Sequence, residues 1–325
     1  MTYKEYREDP GINQSFLKQV MDNKLTPITA TKRMIEGSII DCMLYTPEEF
    51  NTRYAIIENL PSGKLKEVLD FRFLKGKSFN IAEIVETLRD EEYRSNWGNT
   101  SLEKEVDKYE LYYNVIEDGL YPMTQKEYSK FSYAKENILS SHIWEQVHHG
   151  NNEFQKALFA WINIEDESIK IKGLLDDLHI DENKGVATIT DCKCTKASNW
   201  LELALSLRYD FQMAYYKELV EQNYPELKVV CQWLVYDMNR KVTSLYKTRD
   251  FDLVVGKYGV VKEGTSYFIG HQAGVNAEFS TNKTYISGFM DVLTVYKQCI
   301  DLGLNDFDIE AYRNKNIYNK SLYLN

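Results

Sequence analysis

The stretch that decides the fold runs from Gly173 to Lys193 and reads GLLDDLHIDENKGVATITDCK. Two apolar runs flank Asp181-Glu182-Asn183-Lys184-Gly185, a turn-like segment, so the pattern predicts a β-hairpin. The first run carries Asp176 and Asp177, and the second carries Asp191 and Lys193. Side chains alternate faces along a strand, so Asp191 and Lys193 point the same way. Pairing the strands brings an aspartate of the first onto that face. Two carboxylates and an ammonium at one spot suit a divalent-metal site that hydrolyses phosphodiesters.

Downstream, a helix is expected from about Asn199 to Gln222. In it Arg208, Gln212 and Tyr216 fall at i, i+4 and i+8 and so share one face. Leu203, Leu207, Phe211 and Ala214 form another face that can pack on a sheet. An arginine, an amide and a phenol in one row suit contacts to phosphate oxygens or to a metal-bound water. Val229 to Tyr236 (VVCQWLVY) is the near-continuous apolar run of a strand covered on both faces, with Val242 to Tyr246 able to pair beside it. Upstream, short helices are expected over Asn13 to Asn23 and Thr31 to Tyr45. A longer one is expected from Gln125 to about His148, opened by the Thr124/Glu127 capping pattern. A strand is expected over Phe159 to Ile164. Strands, a helix and a buried strand imply an α/β fold, a mixed sheet flanked by helices.

The chain has 325 residues and only six prolines, with no repeat and no low-complexity linker. It reads as one domain over 1–325, with a core at about 125–247. Residues 60–120, charged and weakly patterned, read as an irregular, mostly helical insertion. A hydrophobic content of 43% with 27% charged residues is that of a globular protein. No apolar run approaches the ~20 residues needed to cross a bilayer, and MTYKEYREDP does not read as a signal peptide. The five scattered cysteines (Cys42, Cys192, Cys194, Cys231, Cys299) read as reduced thiols, and a cytoplasmic location is expected. They lack the clustering an iron–sulfur centre needs, and the five histidines form no ligand spacing. A net charge of −10 excludes a generally basic nucleic-acid coat, but not an enzyme with a local basic channel.

The order G-x-x-D (Gly173, Asp176), D-x-K (Asp191, Lys193), Q-x-x-x-Y (Gln212, Tyr216) resembles the PD-(D/E)XK nuclease superfamily. The chain is most similar to its RecE-type (exodeoxyribonuclease VIII-like) phage recombination exonucleases. YDFQMAYY at Tyr209 to Tyr216 is similar to that family's Y-D-x-Q-x-A-x-Y, and DCKCT to its D-x-K-T-T. GSIIDCMLYTPEEF (Gly37 to Phe50) resembles the family's opening segment, with Asp41 where histidine is common. NNEFQKALFAW resembles the segment that carries a glutamate, here Glu153. The likeness covers most of residues 12–240.

The resemblance implies a restriction-endonuclease-like sheet and a metal-dependent 5′→3′ exonuclease acting on double-stranded DNA ends. Asp176 and Asp191, with the carbonyl of Cys192, would hold Mg²⁺ or Mn²⁺, and Glu153 and Asp41 would complete the site. Lys193 would orient the attacking water, Gln212 and Tyr216 would position it, and Arg208, Lys196 and Arg33 would meet phosphates. A homo-oligomeric ring and a single-strand annealing partner are implied in the same way. Two alternatives stand beside this reading: another nuclease of the superfamily, or a non-catalytic module that binds DNA ends or protein. Of the adjacent aspartates, which face opposite ways, the G-x-x-D spacing favours Asp176.

Overall fold

The computed structural model describes residues 3–21, 31–148, 150–164, 166–263, 266–269 and 283–301. In chain order, α1 (Tyr3–Glu8), α2 (Gln14–Met21) and α3 (Lys32–Tyr45) precede a 3₁₀ turn (Pro47–Glu49), α4 (Phe50–Arg53) and β1 (Tyr54–Ile57). Then come α5 (Gly63–Leu74), α6 (Ile81–Asp90), α7 (Asn99–Asp107), α8 (Glu110–Glu117), β2 (Tyr121–Thr124), α9 (Gln125–Leu139) and α10 (His142–Val147). Next are β3 (Asn152–Ile164), β4 (Glu167–Asp181), β5 (Val186–Thr195), α11 (Trp200–Ser206), α12 (Tyr209–Asn223), β6 (Lys228–Asp237) and β7 (Val242–Lys247). The described chain closes with α13 (Asp250–Tyr258), β8 (Val260–Glu263), β9 (Ser266–Ile269), β10 (Lys283–Ile286) and α14 (Phe289–Asp301). The fold is mixed α/β.

By contacts the chain divides into two compact units, residues 1–37 with 137–325, and residues 38–136. The division therefore falls at 38 and 136, where the sequence suggested an insertion at 60–120. In the smaller unit, α5 to α8 enclose their own core of Leu65, Leu69, Ile84, Leu88, Leu102, Val106 and Tyr113. The parallel pair β1–β2 belongs to the same unit.

The larger unit is built on a five-stranded sheet of order β3-β4-β5-β6-β7. All neighbours are antiparallel except β5 and β6. A parallel pair needs a long crossover, and α11 and α12 supply it. The crossover is two helices where the sequence predicted one: Arg208 adopts a left-handed conformation (φ 55°) and ends the run. The long helix expected at 125–148 is likewise two. α9 opens with the Thr124/Glu127 capping box (3.1 and 3.2 Å), and Ser141 recaps the chain by accepting from the Trp144 amide at 3.2 Å.

β4 and β5 pair only from Asp181↔Val186 to Asp177↔Thr190. Beyond that rung they diverge, β4 continuing with β3 and β5 with β6. The edge that β4 exposes there is taken by Ile12, whose amide donates to Lys170 O (3.0 Å) and whose carbonyl accepts from the Lys172 amide (2.7 Å). The Tyr215 hydroxyl lies 2.6 Å from Ile12 O and 3.0 Å from Lys172 O, which ties α12 to the same spot.

α12 buries Phe211, Met213, Ala214, Tyr215, Leu219 and Val220 in one core with Ile171, Leu175, Ile189, Cys231 and Trp233 of the sheet. It lies close against Gly173 of β4. A Cβ there would meet Leu219 Cδ1 at 2.4 Å and the Tyr216 ring at 3.4 Å. Gly173→Ala should therefore lower stability by about 1–3 kcal/mol through overpacking. Urea denaturation reads this directly, and an unchanged midpoint would mean that the helix does not rest on this residue.

Candidate active site

The candidate site forms where β4 and β5 part. In register, Asp176 and Asp191 would be the next pair after Asp177↔Thr190, so the divergence places their side chains across a gap rather than a ladder rung. Main-chain donors left without a ladder partner must be satisfied otherwise. The Cys192 amide does so by donating to Asp176 Oδ2 at 3.3 Å. Cys192, expected to offer its carbonyl, thus meets Asp176 through its N–H.

Asp191 is almost fully buried, at 2% exposure. It forms an ion pair with Lys193, two residues along the same strand face. The Gln212 amide donates to Asp191 Oδ1 at 2.9 Å and lies 3.2 Å from the Tyr216 hydroxyl. Helical spacing accounts for that pairing, since residues four apart are neighbours on one face. Burial, followed by the charges of Asp191 and Asp176, raises the Tyr216 phenol above its ordinary range, so it keeps its proton at neutral pH. Tyr209, three residues before Gln212, places its ring under the Lys193 ammonium, 5.3 Å from the centroid. Sequence motif alone assigns Tyr209 no role, and its i−3 spacing from Gln212 is the signal that puts it beside the site.

Burial first, and the Asp191 charge second, push Asp176 up to about 7. A buried carboxylate raised by a second carboxylate beside it belongs to a donor set that a divalent cation relieves, because the cation replaces like-charge repulsion by attraction to both. The residues present therefore fit a hard cation bound by Asp176, Asp191 and main-chain or water oxygens. Among the described residues, no three His, Cys, Asp or Glu side chains converge as a ready-made ligand set.

The other expected residues are placed differently. Gln155, inside β3, has a left-handed backbone (φ 47°). The break in alternation there lets Lys156 and Glu153, three apart, form an ion pair on one side of the strand. Glu153 is exposed and lines an open cavity of about 590 Å³ at the hairpin tip, with His179, Asp181 and Lys184. Arg208 is the cap of α12 rather than part of its row. Its guanidinium is bidentate on Asp210 (3.0 and 2.9 Å) and donates to Ser287 O (2.8 Å), which is a structural commitment. Lys196 is exposed just beyond β5, and Arg33 is exposed on α3 with its charge felt at Tyr209. Asp41 is half-buried on α3, within the smaller unit.

Asp177 faces the other side of the sheet, fully buried. Its Oδ1 accepts from Asn152 Nδ2 at 2.7 Å, and His148 Nε2 is 4.0 Å from its Oδ2. Trp144 stacks on that histidine with centroids 3.5 Å apart. Gln155 is the site residue that sequence reasoning missed: its amide Nε2 lies 3.3 Å from Asp176 Oδ1. A glutamine in an apolar strand gives no warning of a left-handed turn.

No family model matches the chain, and no curated protein matches it. Among solved structures, the crystal structure of SSO0001 is 17% identical, over 56% of this chain and 74% of that one, with a TM-score of 0.25. A likeness at that level bears on neither fold nor function. Among the described residues, no helix is long and apolar enough to cross a membrane.

Asp177 supplies a test of the electrostatics. Burial pushes its carboxyl up to about 7 from 3.8. Between those values the folded protein keeps a proton that the unfolded chain has lost, so stability falls as pH rises through about 4 to 7. Asp177→Asn, which keeps the acceptor without the charge, should gain on the order of 4 kcal/mol at pH 8. The gain should vanish near pH 4. A difference independent of pH in paired melts would contradict the assignment.

Proposed function

We propose that the chain is a PD-(D/E)XK-type nuclease, a metal-dependent 5′→3′ exonuclease that degrades one strand of linear double-stranded DNA and leaves 3′ overhangs. The observation that carries this reading is the meeting of Asp176 and Asp191 at the parting of β4 and β5, with Lys193 and Gln212 on Asp191. The exonuclease polarity, a ring of several copies and an annealing partner that receives the overhang come from the sequence resemblance alone.

Asp176 and Asp191 would hold Mg²⁺ or Mn²⁺, which when bound neutralises phosphate charge and acidifies a water. The chain's own groups do the rest. Lys193, anchored by Asp191 and by the Tyr209 ring, carries a fixed positive charge to the place where negative charge builds on the phosphate. Gln212 fixes the rotamer of Asp191. Tyr216, protonated at working pH, remains a hydrogen-bond donor beside it. Lys196, exposed after β5, would meet the backbone of an incoming strand.

The decisive experiment digests matched linear and covalently closed circular duplexes with Mg²⁺, end-labelled, beside Asp191→Ala. Progressive loss of linear DNA from its 5′ end is expected, with circles intact and the variant inactive. Cut circles would move the assignment to an endonuclease. No cleavage of either substrate would leave a DNA-end or protein-binding module as the better reading. Lys193→Ala should lower turnover by about 10²-fold or more while the circular dichroism spectrum stays that of the wild type. A variant that cleaves normally would remove Lys193 from the chemistry.

A further inference from the structure

Gln155, the fourth residue of a 13-residue strand, has a left-handed backbone, a conformation that non-glycine residues adopt rarely and mostly where the surroundings enforce it. The usual excuse for such a residue in a strand is a bulge, an extra residue opposite the partner. That is absent. Phe154 pairs with Asp177 and Lys156 with Leu175, so β3 and β4 hold one register across the kink, and Gln155 stands opposite Asp176.

The side chain at this kink reaches Asp176, its Nε2 lying 3.3 Å from Oδ1. The other carboxylate oxygen, Oδ2, takes the Cys192 amide at 3.3 Å. Asp176 is therefore gripped from both sides of the gap, by β3 through Gln155 and by β5 through Cys192. Both donors are neutral. A lysine or arginine at 155 would cancel the charge a cation needs, whereas an amide orients the carboxylate and leaves its charge in place.

We infer that Gln155 is a positioning residue, which orients Asp176 across the gap and so sets the affinity of the carboxylate pair for a divalent cation. The second half of that statement rests on the metal-dependent reading above. The first half does not. The kink has a further consequence: it turns Glu153 and Lys156 toward each other on one side of β3, so the residues flanking Gln155 are held in the same arrangement.

The test uses the full chain as wild type, Gln155→Gly, Gln155→Asn, Asp176→Ala and the Gln155→Gly/Asp176→Ala double variant. Glycine accepts the left-handed backbone without strain, so Gln155→Gly removes the amide and keeps the kink. Melting temperatures are taken in EDTA, and Mn²⁺ affinity is taken by isothermal titration. In EDTA the two single shifts should fail to add in the double variant, because they remove the same contact. Mn²⁺ should bind tenfold or more weakly to Gln155→Gly, within the 10–100-fold range typical of groups that orient metal ligands, with part restored in Gln155→Asn. Additive shifts would overturn the inference, and so would wild-type Mn²⁺ affinity in Gln155→Gly. A wild type that takes up no Mn²⁺, with shifts that still fail to add, would sink the metal-dependent function and leave the Gln155 contact standing.

Discussion

Everything at the site depends on the ladder between β4 and β5 stopping at Asp177↔Thr190. Had it run one rung further, Asp176 and Asp191 would be ordinary cross-strand neighbours in a closed sheet, and like charges directly opposite are destabilising there. Parting the strands leaves main-chain groups that need partners. Ile12 takes the free edge of β4, the Cys192 amide takes Asp176, and the Tyr215 hydroxyl ties α12 to the carbonyls of Ile12 and Lys172. Hydrogen bonds thus satisfy main-chain groups around the place where the two carboxylates meet. Packing then delivers the remaining groups: with no Cβ at Gly173, α12 lies close enough for Gln212 to reach Asp191.

The sheet separates two polar systems that the sequence places side by side. Asp176 belongs to the gap and shares it with Asp191 and Lys193. Asp177, the next residue, is sealed on the opposite face with Asn152 and His148. Both carboxyls are pushed up to about 7, in each case first by burial. The second causes differ. For Asp176 the next raising influence is Asp191, while for Asp177 the Asn152 amide pulls the other way. Only the first carboxyl has a neighbour that a cation can share.

Much of this was legible in the sequence where the geometry is local. The hairpin follows from two apolar runs around a turn, the shared face of Asp191 and Lys193 from strand alternation, and the Gln212–Tyr216 contact from helical spacing. What escaped depends on single backbone conformations. The left-handed Gln155 breaks the alternation from which the place of Glu153 would be read, and turns that carboxylate to Lys156 and the hairpin tip. The left-handed Arg208 ends one helix and caps the next, so its guanidinium goes to Asp210 instead of joining the row with Gln212. Residues 60–120 looked irregular because four short helices bury a modest core among many charges, a pattern too weak for its period to stand out. The PD-(D/E)XK assignment itself remains the proposal that sequence motif and carboxylate geometry jointly support.

The most direct test of the account is to crystallise the full chain with Mn²⁺ and compute the anomalous difference map. The account predicts a peak between Asp176 and Asp191, lost in Asp191→Ala crystals grown the same way. A peak at the hairpin tip beside Glu153 and Asp181, or none with ordered carboxylates in the gap, would contradict it.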